Sequence, residues 1–186
     1  MLYLASQSPR RKEILKSMKI RFRVVPSSYQ EKHSSHLKPH ELVLQHSLGK
    51  AKEARVPRTA RWILGADTIV WAGGRALGKP KNSSQAMKML RIISGKKHQV
   101  LTGIALLDLR TKQCWTGCEV TQVWIKKLSA QDMRDYILRT HPYDKAGGYA
   151  IQMKPRIVRK IQGSHSNVVG LPRTLLRSML RRTGMK

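Results

Sequence analysis

An apolar run of four residues, Leu2-Tyr3-Leu4-Ala5, passes through Ser6-Gln7-Ser8-Pro9 into Arg10-Arg11-Lys12-Glu13-Ile14-Leu15, and no other stretch constrains the fold as much. The run reads as a short buried strand. Ser8 predicts a helix N-cap and Pro9 the first helical position. Ile14 and Leu15 open the apolar face of that helix. Arg10, Arg11 and Lys12 then crowd the first turn, where the helix dipole disfavours each cation by roughly a few tenths of a kcal/mol. Such crowding calls for a compensating anion. A strand, a small-residue turn and a helix N-terminus make an anion site, and arginines there suit bidentate phosphate binding. The plainer alternative is a solvated basic helix start in a basic protein.

The basicity is extreme: 37 Lys and Arg stand against 10 Asp and Glu, a formal charge of +27. Such a field attracts polyanions, whether nucleotides, nucleic acid or anionic membrane. The cations are spread along the chain rather than gathered in a tail, which favours a general basic shift over one polyanionic partner. At 186 residues, 40% of them hydrophobic, the chain can fill a real core as one domain or as two small lobes around a cleft. Cys114 and Cys118 are the only cysteines, and a lone C-x3-C pair reads as reduced thiols on a strand rather than a zinc site or a disulfide. No signal peptide is read before Leu2, and no apolar run approaches the ~20 residues of a membrane span. The expectation is a soluble, cytoplasmic protein with no membrane partner.

Along the chain, residues 22–25 predict a second strand, stopped by Pro26. A polar loop over 26–38 holds Glu31 with His33 and His36, and His40 follows it. These histidines lack an Asp or Cys among them and read as solvent-exposed rather than metal-bound. Residues 39–55 predict a helix with Leu42, Val43, His46 and Gly49 in its stripe. Lys50 and Lys52 suit its C-terminal end. The second informative stretch is Arg61-Trp62-Ile63-Leu64-Gly65-Ala66-Asp67-Thr68-Ile69-Val70. Asp67 interrupts an apolar strand, and a carboxylate there must be paired, hydrogen-bonded or metal-bound. In a chain this poor in acid it leads as metal ligand or general base. The alternative is a structural Asp capping a turn after Gly65-Ala66. Gly73-Gly74 predicts a hairpin turn, and the returning strand ends at Gly78-Lys79-Pro80, where Lys79 is a phosphate ligand or ordinary loop charge.

Ser83 predicts the cap of a helix through Ile93, and Ser129 the cap of another over 130–139. Residues 99–109 and 114–126 predict a long antiparallel pair. Residues 142–152, with Asp144-Lys145 and Gly147-Gly148, form a turn-rich loop of the kind that wraps a ligand. Residues 157–161 predict a strand, and 167–172 lead into a last helix with Leu175, Leu176, Met179 and Leu180 inward.

Taken in order, these stretches resemble the Maf family of nucleotide pyrophosphatases. The matching pieces are Ala5-Ser6-Gln7-Ser8-Pro9-Arg10-Arg11, Gly49-Lys50-Ala51, Gly65-Ala66-Asp67-Thr68, Gly78-Lys79-Pro80, Ser94-Gly95 with His98 and Thr102-Gly103, Asp144-Lys145-Ala146-Gly147, Ile151-Gln152 and Val169-Gly170-Leu171-Pro172. The resemblance implies an α/β fold with a long, curved mixed sheet and two lobes around a cleft, similar to the inosine-triphosphate pyrophosphatase fold, as one domain over 1–186. It implies hydrolysis of dTTP and UTP to the monophosphate and pyrophosphate with a divalent metal, Mg²⁺ or Mn²⁺. It also implies the site. Asp67 is the proton acceptor, and Arg10, Thr68 and Gln152 govern base selection. Ser6, Arg10, Arg11, Lys50 and Lys79 bind phosphate, and Asp67 and Glu31 hold the metal. Gln30 stands where relatives often have an acid, which implies weaker metal binding. A homodimer is expected from the likeness alone.

These residues can neutralise a triphosphate and orient a water for in-line attack at the α-phosphorus. The competing readings are a pyrophosphatase for modified nucleotides, CTP or 7-methyl-GTP, a regulator of cell division, and a non-catalytic nucleic-acid binder. Charge and four Trp speak for the last. The single Phe and the lack of an RNA-binding motif speak against it, so nucleic acid is not required as a partner.

Overall fold

Alternation along the strands decides the layers. The computed structural model describes residues 1–31 and 37–185. In it β1 (Leu2–Ala5), β2 (Phe22–Val24), β3 (Trp62–Ala72), β4 (Arg75–Leu77), β5 (Lys97–Asp108), β6 (Cys114–Ile125) and β7 (Val158–Gln162) form one mixed sheet. The order is β2-β1-β3-β5-β6-β7, with β4 paired to β3. β1 runs parallel to β2 and β3, and the other pairings are antiparallel. The helices are α1 (Pro9–Ser17), α2 (Pro39–Lys52), α3 (Ser83–Ile93), α4 (Ala130–Thr140), α5 (His165–Val169) and α6 (Arg173–Arg182). The α/β class and the mixed sheet are as expected.

Side chains of period two separate the faces. Leu2, Leu4, Trp62, Leu64 and Ala66 pack with Ile14 and Leu15 of α1 and Leu176, Met179 and Leu180 of α6. Ile69 turns the other way and packs with Leu42 and Val43 of α2. A further core lies where α3 and α4 meet Val70, Val100 and Val123. Asp67 therefore points to the α2 face and Thr68 to the face of α1, α5 and α6.

Several local readings change. Ser8 occupies the N-cap of α1, but its side chain makes no cap bond. Instead the Ser8 N–H donates to Ser6 Oγ at 3.3 Å. Asn82, not Ser83, caps α3, with its Oδ1 accepting the Gln85 N–H at 2.9 Å. Asn reaches back over the first turn as well as Ser does, so two adjacent cap residues leave the sequence ambiguous. Ser129 caps α4 as expected. The short helix α5 overlaps the stretch 167–172, which was read only as an approach to α6. Cys114 and Cys118 both lie on β6 and are unbridged. Among the described residues no helix is long and apolar enough to cross a membrane.

Candidate active site

The sheet leaves an opening in its own edge. β1 pairs with β3 only as far as Ala5 opposite Gly65, and β4 pairs with the same edge only from Val70 onward. Among the described residues no strand pairs with 66–69 on that side, while β5 covers their other edge. The cleft sits in this gap, so residues from both faces of β3 line it.

On one face, α2 lies against the sheet backbone to backbone. A Cβ added to Gly65 would fall on the Ser47 carbonyl, and one added to Gly103 on the Val43 carbonyl. Only glycine permits that approach. It sets His46 and Lys50, one helical turn apart, directly over Asp67. His46 Nδ1 donates to Asp67 Oδ2 at 3.1 Å, and Lys50 Nζ donates to Asp67 Oδ1 at 2.6 Å. Lys50 Nζ also lies 2.6 Å from Glu31 Oε1. Asp67 is only 5% exposed. Burial alone would raise its pKa, but the His46 hydrogen bond and the Lys50 ammonium outweigh burial and hold the carboxyl well below the usual range. It is fully ionised at neutral pH. Ligand atoms of Glu31, His46 and Asp67 all lie within 4.8 Å of one another, a mixed oxygen and nitrogen set able to receive a divalent cation.

On the other face, Arg11 is buried and each of its three guanidinium nitrogens makes a hydrogen bond. Nε donates to the Gly170 carbonyl at 2.8 Å, Nη1 to Ser6 Oγ at 2.8 Å and Nη2 to Thr68 Oγ1 at 3.1 Å. The fork ties the start of α1 to β3 and to the turn after α5. Burial lowers the Arg11 pKa, and the Asp67 and Glu31 carboxylates oppose that. Arg10 lies toward solvent and pairs with Asp144 at 3.1 Å, which also contacts Lys145. The Gly147 N–H donates to the Gly78 carbonyl at 3.0 Å and so fastens the 142–152 loop beside Lys79. Beneath that loop, buried Tyr149 shares a 2.6 Å hydrogen bond with His98 Nε2. Burial lowers the His98 pKa to about 4, so the ring is neutral at physiological pH.

Arg10, Arg11, Glu31, Lys50, Asp67, Thr68, Lys79 and Gln152, widely separated in the chain, line this one cleft. Ser6 lines the adjoining hollow with Arg10, Arg11, Lys50 and Lys79. His46 was read as part of an apolar stripe; its spacing of four from Lys50 was the available sign. Lys50, read as a cation suited to a helix end and, from the resemblance, as a phosphate ligand, bridges the carboxylates of Glu31 and Asp67. His40 is exposed on α2, whereas His33 and His36 lie outside the described residues.

The model of the Maf-like protein family matches residues 1–183. The chain is similar to the dTTP/UTP pyrophosphatase of Carboxydothermus hydrogenoformans, 42% identical over 98% of both chains. It is 44% identical to the dTTP/UTP pyrophosphatase of Geobacter sp. strain M21, over 92% of this chain and 89% of that one. It is 40% identical to that of Methanosarcina barkeri, over 99% of this chain and 94% of that one.

Proposed function

This chain belongs to the Maf-like protein family, and from that we infer that it is a nucleoside triphosphate pyrophosphatase acting on dTTP and UTP. The observation that carries the reading to this chain's own residues is the ionised, buried Asp67 facing a cleft rimmed by Arg10, Lys50 and Lys79. That pattern suits a polyphosphate with a proton acceptor beside it.

Glu31, His46 and Asp67 fit a divalent cation, Mg²⁺ or Mn²⁺, by their donor types and by the closeness of their ligand atoms. The Lys50 ammonium between Glu31 and Asp67 is further support, because it marks the point where positive charge is most favoured. When bound, such an ion supplies charge neutralisation on phosphate oxygens and acidifies a coordinated water.

The remaining steps belong to the side chains. Arg10, Lys50 and Lys79 hold the triphosphate, and Ser6 and Arg11 form the base of the anion site at the N-terminus of α1. Asp67, held by the His46 hydrogen bond and the Lys50 ammonium, is too acidic to be a strong base. As the phosphates draw the Lys50 ammonium toward themselves, Asp67 regains basicity. It then accepts a proton from a water attacking the α-phosphorus, the bond from that phosphorus to the bridging oxygen breaks, and pyrophosphate leaves. The cationic rim stabilises charge developing on the leaving group. Arg10, Thr68 and Gln152 choose the base. Asp67→Asn is expected to keep the fold and lose at least ~100-fold in kcat, the scale of one general base. Near-wild-type turnover of UTP by that variant removes Asp67 from the mechanism.

A further inference from the structure

Glu31 reaches the cluster from outside the strands and helices, on an exposed stretch after β2. The end of α2 aims it. The Arg55 N–H donates to the Pro26 carbonyl at 2.9 Å, and the Ser28 N–H to the Glu53 carbonyl at 3.2 Å. Ser27 and Ala54 form an antiparallel bridge between these bonds. From there the contact passes to a side chain. A Cβ added to Gly49 would lie 2.2 Å from Tyr29 Cε2 and 2.4 Å from Cδ2, so the Tyr29 ring fills the space a side chain at 49 would take. Its centroid is 5.9 Å from that of His46, one turn earlier on α2. Two residues after Tyr29, Glu31 Oε1 meets Lys50 Nζ at 2.6 Å, and the same ammonium holds Asp67. A glycine inside a helix destabilises it relative to alanine, so its presence calls for a packing reason. An added methyl at Gly65 or Gly103 would strike helix backbone, whereas at Gly49 it would strike a side chain that can leave.

We propose that Tyr29 is a positioning residue: its ring, seated in the notch at Gly49, holds Glu31 beside Asp67 and so sets the affinity of the cluster for a divalent cation. The inference rests on the reading of Glu31 and Asp67 as cation ligands given above. A glutamate on an exposed stretch loses backbone and side-chain freedom when it joins a second carboxylate around an ion. A ring fixed two residues away removes much of that freedom beforehand, which is preorganisation. The ring carbons make the contact with Gly49, and the hydroxyl is not needed for it.

The test is the Kd for Mn²⁺, read from the EPR signal of the free ion. The proteins are the wild type, Tyr29→Ala, Tyr29→Phe, Gly49→Ala and the double variant Tyr29→Ala with Gly49→Ala. Thermal melting of each and kcat on UTP at saturating Mn²⁺ accompany it. Tyr29→Ala is expected to raise the Kd about tenfold or more, the scale on which groups that orient metal ligands act. Tyr29→Phe keeps the ring and is expected to keep the wild-type Kd. Gly49→Ala expels the ring and is expected to match Tyr29→Ala. With the ring already gone the methyl has room, so the double variant is expected to bind no worse than Tyr29→Ala and to melt higher, because alanine favours the helix. At saturating Mn²⁺, kcat is expected to fall less than the Kd rises. An unchanged Kd in a folded Tyr29→Ala overturns the inference, as does a Tyr29→Phe as weak as Tyr29→Ala, or additive losses in the double variant. A wild-type protein that binds no Mn²⁺ overturns it too. A wild-type protein that binds Mn²⁺ and leaves UTP intact is a different result, which sinks the pyrophosphatase reading and leaves this inference standing.

Discussion

Asp67 is tolerable on an apolar strand because the His46 ring and the Lys50 ammonium both reach it from α2, and the same contacts set its reactivity. His98 shows the opposite solution: a titratable group buried as its neutral form, held by Tyr149. The consequence for stability has a definite sign. His98 titrates near its ordinary value in the unfolded chain and near 4 in the fold. Below the unfolded value the unfolded state therefore binds the extra proton, and stability is lost as pH falls from about 6.5 toward 4. The loss from this group is on the order of 3 kcal/mol across that window. Urea unfolding of wild type and His98→Gln at several pH values checks it: the wild-type slope in that window is expected to flatten in the variant, and identical slopes would contradict it. Asp67 was legible because a lone carboxylate in an apolar strand demands an explanation. His46 was not, because a histidine at a core-facing helical position fits packing equally well. Arg11 was read as a phosphate ligand from its place at a helix start, and nothing in the sequence signals that Gly170, far along the chain, spends its Nε.

At the level of elements, the site depends on how closely α2 approaches β3 and β5. Gly65 and Gly103 set that approach, since at either position a methyl group would meet helix backbone rather than a movable side chain. Gly103→Ala is expected to push α2 outward, cost about 1–3 kcal/mol of stability, as overpacking does, and lower activity by lifting His46 and Lys50 from Asp67. Chemical denaturation with parallel UTP assays reads both; wild-type values for each would refute the close-packing account. Strands and helices were read well from local signals: apolar runs, Gly73-Gly74, and the cap at Ser129. The cap of α3 moved by one residue because Asn82 and Ser83 are both good caps. α5 was missed because five residues hold too little periodicity to declare a helix.

At the scale of the molecule, the cleft exists because β1 ends early and β4 begins late along one edge of β3. That is a property of pairing register between distant segments, which no local pattern records, whereas residues such as Arg10, Arg11, Asp67 and Lys79 that line the gap stood in visible motifs. The net charge of +27 adds a long-range attraction for a triphosphate that the cleft then makes specific. The most direct test of the whole account is hydrolysis of UTP and dTTP in ¹⁸O-water with Mg²⁺ or Mn²⁺, with EDTA as the control and 7-methyl-GTP as the competing substrate. The account predicts metal-dependent release of pyrophosphate from UTP and dTTP, with the ¹⁸O carried by the nucleoside monophosphate. Label in the pyrophosphate, or turnover of 7-methyl-GTP with UTP and dTTP left intact, would contradict it.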